Sequence, residues 1–156
     1  MKKPLLLALF LLALDQVTKH LAASLISYGS HVTIVPVFNF FNLTHVGNTG
    51  AAFSSFQGKN AAFVIFVAIF LLVLAAWLYK SRNKLSALQK YAFCMIIAGG
   101  AGNLIDRILR GAVIDFLDFG INNLRWPSFN VADSSICIAA ALLVIDIFRS
   151  RVKSGE

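Results

Sequence analysis

Charge is scarce in this chain. Of its 156 residues 13% are Asp, Glu, Lys or Arg, against about 25% in an ordinary soluble domain, which argues against a fully solvated surface. Cysteine is rarer still: Cys94 and Cys137 each sit inside an apolar stretch, which disfavours a disulfide framework or a zinc site and leaves both as packing residues. The three histidines, His20, His31 and His45, have no H-E-x-x-H spacing, and no G-x-S-x-G elbow is present. Zinc-peptidase and serine-nucleophile chemistry therefore have no motif to stand on. No metal and no cofactor are expected.

What the chain has in quantity is apolar sequence, 58% of all residues. Four stretches suit membrane-crossing helices of about 20 residues: residues 4–26, 61–79, 91–109 and 131–148. Together with their connections they use the whole chain, so residues 1–156 are expected to form one membrane-embedded domain. The first stretch follows Lys2 and Lys3 as a signal peptide would, but it carries Asp15 and Lys19, and three further spans follow. The second has no charge over 19 residues and ends on Trp77 and Tyr79, where an aromatic belt belongs.

The net charge of +7, from 14 cations and 7 acids, would suggest nucleic acid in a soluble protein. Here nine cations fall in three clusters beside apolar runs: Lys2 and Lys3; Lys80, Arg82, Lys84 and Lys90; Arg149, Arg151 and Lys153. Such clusters set topology rather than bind nucleic acid: both termini and the 80–90 loop lie on the cytoplasmic side, and residues 27–60 and 110–130 lie outside. Val32–Thr44 mixes β-branched and aromatic residues with polar ones, as short strands do. Asp115–Leu124 has a weak amphipathic pattern that predicts a helix along the membrane surface. The expected fold class is an all-α polytopic membrane protein: four transmembrane helices, a small extracytoplasmic β-element and an amphipathic surface helix.

The polar residues within the spans gather at one depth. At about 1.5 Å per residue, Asp15 and Lys19 lie roughly 18–25 Å along span one, and Asn103 and Arg107 about 18 and 24 Å along span three. Asp133 opens span four from the same side. Ionisable groups near hydrocarbon are costly, so they pair, face a wet cavity or perform a function. Asp15 and Lys19 at i, i+4 form an ion pair or support a site. Gly99, Gly100 and Gly102 follow a membrane helix rather than a strand, which favours close helix packing over phosphate binding. Asn103, Asp106 and Arg107 share a face with Gly99, as an interhelical clamp or, for Asn103 and Arg107, as substrate contacts. Asp106 is expected to pair with Arg107 or Arg110, Asp118 to be solvated, and Asp146 to form a surface ion pair with Arg149 at the inner end. Asp115 and Asp133 are each flanked by apolar residues at the outer boundary. Asp133 could simply cap a helix; alternatively the two, held close in apolar surroundings, would share a proton and activate water.

Five motifs, D-Q-V-T-K (Asp15–Lys19), N-T-G-A-A-F (Asn48–Phe53), G-G-A-G-N-L-I-D-R (Gly99–Arg107), V-I-D-F (Val113–Phe116) and F-N-V-A-D (Phe129–Asp133), together resemble the lipoprotein signal peptidase family, also called signal peptidase II. The resemblance runs from the first span to the last. It implies a bacterial inner-membrane aspartic endopeptidase with its site near the outer leaflet. Asp115 and Asp133 would be the catalytic dyad, acting without metal. Asn48, Gly50, Asn103, Arg107 and Asn130 would line and order the site, and Asp15 and Lys19 would brace it. The implied substrates are diacylglyceryl-modified prolipoproteins, cut just before the lipidated cysteine; membrane lipid is the other partner and no oligomer is required.

The rival class is a proton-coupled transporter subunit, since intramembrane ionisable residues also mark ion paths. It predicts polar residues along the whole membrane depth, whereas span two is bare and the inner halves of spans one and three have no ionisable residue beyond their flanking cations. A purely structural membrane partner is the third class; it predicts that Asp to Asn changes are tolerated.

Overall fold

The computed structural model describes the backbone of residues 1–49 and 60–154 and the side chains of residues 1–49 and 61–150. Among these residues four helices are long and apolar enough to cross a membrane: α1 (Lys2–Leu25), α2 (Asn60–Ser81), α3 (Ala87–Arg110) and α4 (Val131–Ser154). They coincide with the four expected spans. α3 starts earlier than its apolar run because Ser86 and Gln89 form a reciprocal capping box, each side chain accepting from the other's backbone N–H at 3.1 Å. It stops at Gly111, whose φ of 75° a side-chain-bearing residue adopts only under strain.

α3 is the hub, packed against α1, α2 and α4. Its glycines permit that closeness. A Cβ at Gly99 would stand 2.5 Å from the Ala132 carbonyl oxygen on α4, and one at Gly102 would stand 2.5 Å from Asp15 Oδ2 on α1. Close helix packing is therefore the role of this stripe. Farther along, Ala92, Met95 and Ala139 form an apolar core with Leu7, Leu11 and Leu142 against it. Large apolar side chains such as Leu6, Phe66, Leu72 and Phe148 point outward, as a lipid-facing surface requires.

At one end of the bundle lies a four-stranded antiparallel sheet, ordered β1 (His31–Val35), β2 (Phe41–Asn48), β3 (Val113–Ile121) and β4 (Leu124–Arg125). β1 and β2 are the expected strands. The helix expected over Asp115–Leu124 is instead β3 and its turn into β4, made at Asn122 with φ 52°. A weak helical period loses there because β2 offers a ladder on one edge, pairing Leu43 with Leu117 and Val46 with Asp115, while Phe129 pairs with Leu117 on the other. Tertiary pairing outweighs so weak a local preference.

Three smaller expectations also change. Asp118 is not simply solvated: it pairs with Arg125 at 2.7 Å and accepts from Asn42 at 3.0 Å. Burial raises its carboxyl, but the Arg125 and Asn42 hydrogen bonds and the Arg125 charge outweigh that and hold it below the ordinary value. Asp146 accepts from Ser86 Oγ at 2.9 Å rather than pairing with Arg149. Cys94 is a buried packing residue, but Cys137 is exposed on α4.

Candidate active site

The sheet end of the bundle holds a connected set of buried polar side chains. Lys19, fully buried on α1, spends its three N–H donors on Asp15 Oδ2 at 2.8 Å, Asp106 Oδ2 at 3.0 Å and Asn103 Oδ1 at 2.9 Å. Both acids have further partners. Asp15 Oδ1 accepts from the Ala132 N–H at 2.8 Å, one of the donors left unpaired at the start of α4. Asp106 binds Arg110 at 2.6 Å and accepts from the Ile114 N–H at 3.2 Å, which fixes the start of β3 to α3. The ion pair expected at i, i+4 is thus the centre of a cluster joining three helices and the sheet.

Asn103 is oriented by that cluster. An ammonium only donates, so the Asn103 oxygen faces Lys19 and its amide nitrogen faces Asp133 Oδ1, at 2.8 Å. Asp133 stands in the first turn of α4 and does take part in a cap. The Asn130 side chain accepts from the Asp133 N–H at 3.0 Å, and Asp133 Oδ2 accepts from the Asn130 N–H at 3.2 Å, a reciprocal arrangement that also favours negative charge at the helix start.

Asn130, fully buried, joins both carboxylates. Its Nδ2 donates to Asp115 Oδ1 at 2.7 Å and lies 3.3 Å from the Ile114 carbonyl and from Asn103 Oδ1. Asn48 at the end of β2 donates to Asp115 Oδ2 at 3.1 Å. The strand contacts of Phe129 with β3 bring residue 130 to this place: its carbonyl accepts from Leu117 N–H at 2.8 Å and its N–H donates to Leu117 O at 3.0 Å. Asp115 is 3% exposed. Burial pushes its carboxyl up to about 6; the Asn48 hydrogen bond opposes that shift, and the negative charge of Asp133 adds to it. Asp133 itself is only half-buried.

The guanidinium of Arg107 lies over the Phe63 ring of α2, 4.5 Å from its centroid, and interacts electrostatically with Asp115, Asp133 and Asp106. Asp15, Lys19, Asn48, Asn103, Asp115, Asn130 and Asp133 are thus linked by direct bonds. Gly50, with the remainder of its motif, lies outside the described residues. Two participants had no assigned place in the site. Asp106, expected only to pair with a neighbouring arginine, meets Arg110 and also Lys19; its spacing of three residues from Asn103 on one helix face was the available signal. Gln16, whose Nε2 donates to the Gly102 carbonyl at 3.1 Å, had none beyond its place in D-Q-V-T-K.

Comparison with known proteins identifies relatives of the chain. The sequence profile of signal peptidase (SPase) II matches residues 7–149. The chain is 43% identical over 154 residues to a lipoprotein signal peptidase of Pseudoalteromonas atlantica, covering 96% of this chain and 92% of that one. It is 40% identical over 146 residues to one of Alteromonas mediterranea, covering 92% and 79%. A solved bacterial membrane enzyme superposes with a TM-score of 0.86 at 33% identity, covering all of this chain and 93% of the other; a second gives 0.81 at 35%, covering 94% and 93%.

Proposed function

The chain belongs to the signal peptidase II family, multi-pass bacterial membrane peptidases of prolipoprotein processing, and we propose that it works as an aspartic endopeptidase, with Asp115 and Asp133 as its dyad and the bond before a lipidated cysteine as its target. One observation carries the reading: Asn130 holds both carboxylates at once, through its side chain to Asp115 and its backbone N–H to Asp133. Two carboxyl groups held by one residue can take a water between them, one acting as base and the other as acid.

The donors around the pair divide the roles. Asp133 sits at a helix start and accepts from Asn103 and from a backbone N–H, so it is the ionised base. Asp115, buried and with its carboxyl raised to about 6, is the one of the two that carries a proton in the form that reacts. Water between them gives a proton to Asp133 as its oxygen attacks the scissile carbonyl carbon, while Asp115 gives its proton to the carbonyl oxygen. Asp115 then recovers a proton from the resulting diol as the C=O bond re-forms. Asp133 passes its proton to the departing nitrogen, and the C–N bond breaks. Asn48, Asn103 and Asn130 hold the carboxylates; Arg107 supplies positive charge beside them.

The clustered cations at the opposite end make the sheet end the outer one, where a membrane-borne signal peptide presents its cleavage point. The apolar core of Ala92, Met95 and Ala139 speaks against a proton path through the bundle and so against a transporter subunit. The test is cleavage of a diacylglyceryl-modified prolipoprotein by purified protein in detergent with chelator present. Wild type should cut, and folded Asp115→Asn and Asp133→Asn variants should not. Near wild-type cleavage by either variant removes the dyad; no cleavage by wild type removes the peptidase reading for this substrate.

A further inference from the structure

α1 and α2 both rest on α3 but scarcely touch each other among the described residues. Between them, at the end of the bundle away from the sheet, runs a groove of about 350 Å³, a size in the range of ligand clefts, about 300–1,000 Å³. Leu78 and Cys94, 3% and 1% exposed, form its floor, and Leu5, Ala8, Ala75 and Ile97 its walls. In a bilayer such a gap is filled by lipid chains, because no side chain of the described residues occupies it and its apolar lining gives water nothing to bond.

The mouth of the groove is not apolar. Arg82 stands there with its guanidinium over the Tyr79 ring, 4.1 Å from the centroid, and donates to the Tyr79 carbonyl oxygen. That contact holds the side chain in place and uses one of its five N–H donors. Lys2 and Lys3 begin α1, and Lys80 and Lys84 flank Arg82 in sequence. The one acid described at this end, Asp146, lies on α4, does not line the groove, and accepts from Ser86.

We propose that this groove is a binding site for one anionic phospholipid, with an acyl chain laid on α3 between α1 and α2 and its phosphate on Arg82. An apolar trough fits any acyl chain; the cationic mouth selects the headgroup. With Arg82 as the cation placed at the mouth, the preference for an anionic over a zwitterionic lipid should be about fivefold. The site is at the opposite end from the carboxylates and has no part in the cleavage chemistry.

Native mass spectrometry of the full chain in detergent, titrated with phosphatidylglycerol or phosphatidylcholine of identical acyl chains, tests this. Wild type should retain one phosphatidylglycerol about fivefold more tightly than phosphatidylcholine. Arg82→Gln should bring phosphatidylglycerol down towards the phosphatidylcholine level and leave the latter unchanged. Ala75→Phe, which fills the trough, should weaken both, and Ala8→Leu does the same from the other wall if the first variant folds poorly. Equal retention of the two lipids by wild type overturns the proposal, as does a headgroup preference that survives Arg82→Gln, or retention unchanged in both folded groove-filling variants.

Discussion

Asp115→Asn should make the protein relatively more stable as pH rises, although it removes a carboxylate held by two asparagines. The carboxyl titrates near 3.8 in an ordinary setting and at about 6 in the fold. Between those values the folded chain holds a proton that the unfolded chain has lost, so stability contributed by Asp115 is complete below pH 3.8 and lost as pH rises through 6. The difference of 2.2 pH units corresponds to about 3 kcal/mol at roughly 1.4 kcal/mol per unit. Asparagine cannot ionise and escapes that loss. Its own cost, about 1–3 kcal/mol from an amide facing the Asn48 and Asn130 donors, does not depend on pH. The gap between variant and wild type should therefore shift by about 2.4 kcal/mol in the variant's favour from pH 4 to pH 7.5, or several degrees in Tm. Thermal unfolding in detergent, read by a thiol-reactive dye on buried Cys94 with Cys137→Ser in both proteins, measures it. A gap that stays constant with pH, or moves the other way, refutes the reasoning.

Lys19→Met strips one partner from two buried acids and should cost about 3 kcal/mol, the low end for a broken buried pair, because Asp106 keeps Arg110 and the Ile114 N–H. Adding Asp15→Asn should return part of that loss; additive losses in the unfolding assay would mean the pair is not coupled. Gly102→Ala places a Cβ 2.5 Å from Asp15 Oδ2 and should cost about 1–3 kcal/mol by overpacking. Gly111→Ala meets nothing within 4 Å and should cost only about 1 kcal/mol from its positive φ; equal Tm losses would contradict that contrast. Asn103→Leu should lower kcat for prolipoprotein cleavage about 100-fold, as loss of one oriented donor does, with KM little changed. Unchanged kcat would remove Asn103 from the site.

The spans were legible because bilayer thickness imposes a length on an apolar run, and the Asp15–Lys19 pair because helical spacing fixes what i and i+4 can do. The sheet was half legible. β1 and β2 are near neighbours in sequence, but β3 lies some seventy residues after β2, with two spans between them, and no local pattern in Asp115–Leu124 encodes a partner so distant. That is why a weak amphipathic period suggested a helix where a ladder forms. The same limit hid how Asp115 and Asp133 relate, since the contact runs through Asn130 and through Phe129 bonding to Leu117. Asp106 meets the expected Arg110, but its second partner was hidden for another reason. Two arginines lie within four residues of it and supplied a sufficient local partner, whereas Lys19 reaches it from another helix.

Charge in a membrane helix is tolerated when it is fully partnered, and in this chain the partnering also sets direction. Lys19 has three donors and three acceptors around it, so it leaves Asn103 no choice of amide orientation. Asn103 in turn must offer its N–H to Asp133. Reversing that amide would set an N–H against an ammonium and an oxygen against a carboxylate, two repulsions in a buried setting where such contacts are costly. The fixed residue is therefore on α1 and the carboxylate it aims is on α4, with α3 between them. Glycines at 99 and 102 keep the three helices close enough for the bonds to form. Stability and geometry are coupled in this cluster, because the Lys19–Asn103 and Asn103–Asp133 bonds that join the three helices also aim the Asn103 amide at Asp133. At the cationic end, where Ala92, Met95 and Ala139 make the contacts, substitutions that preserve volume should alter stability alone.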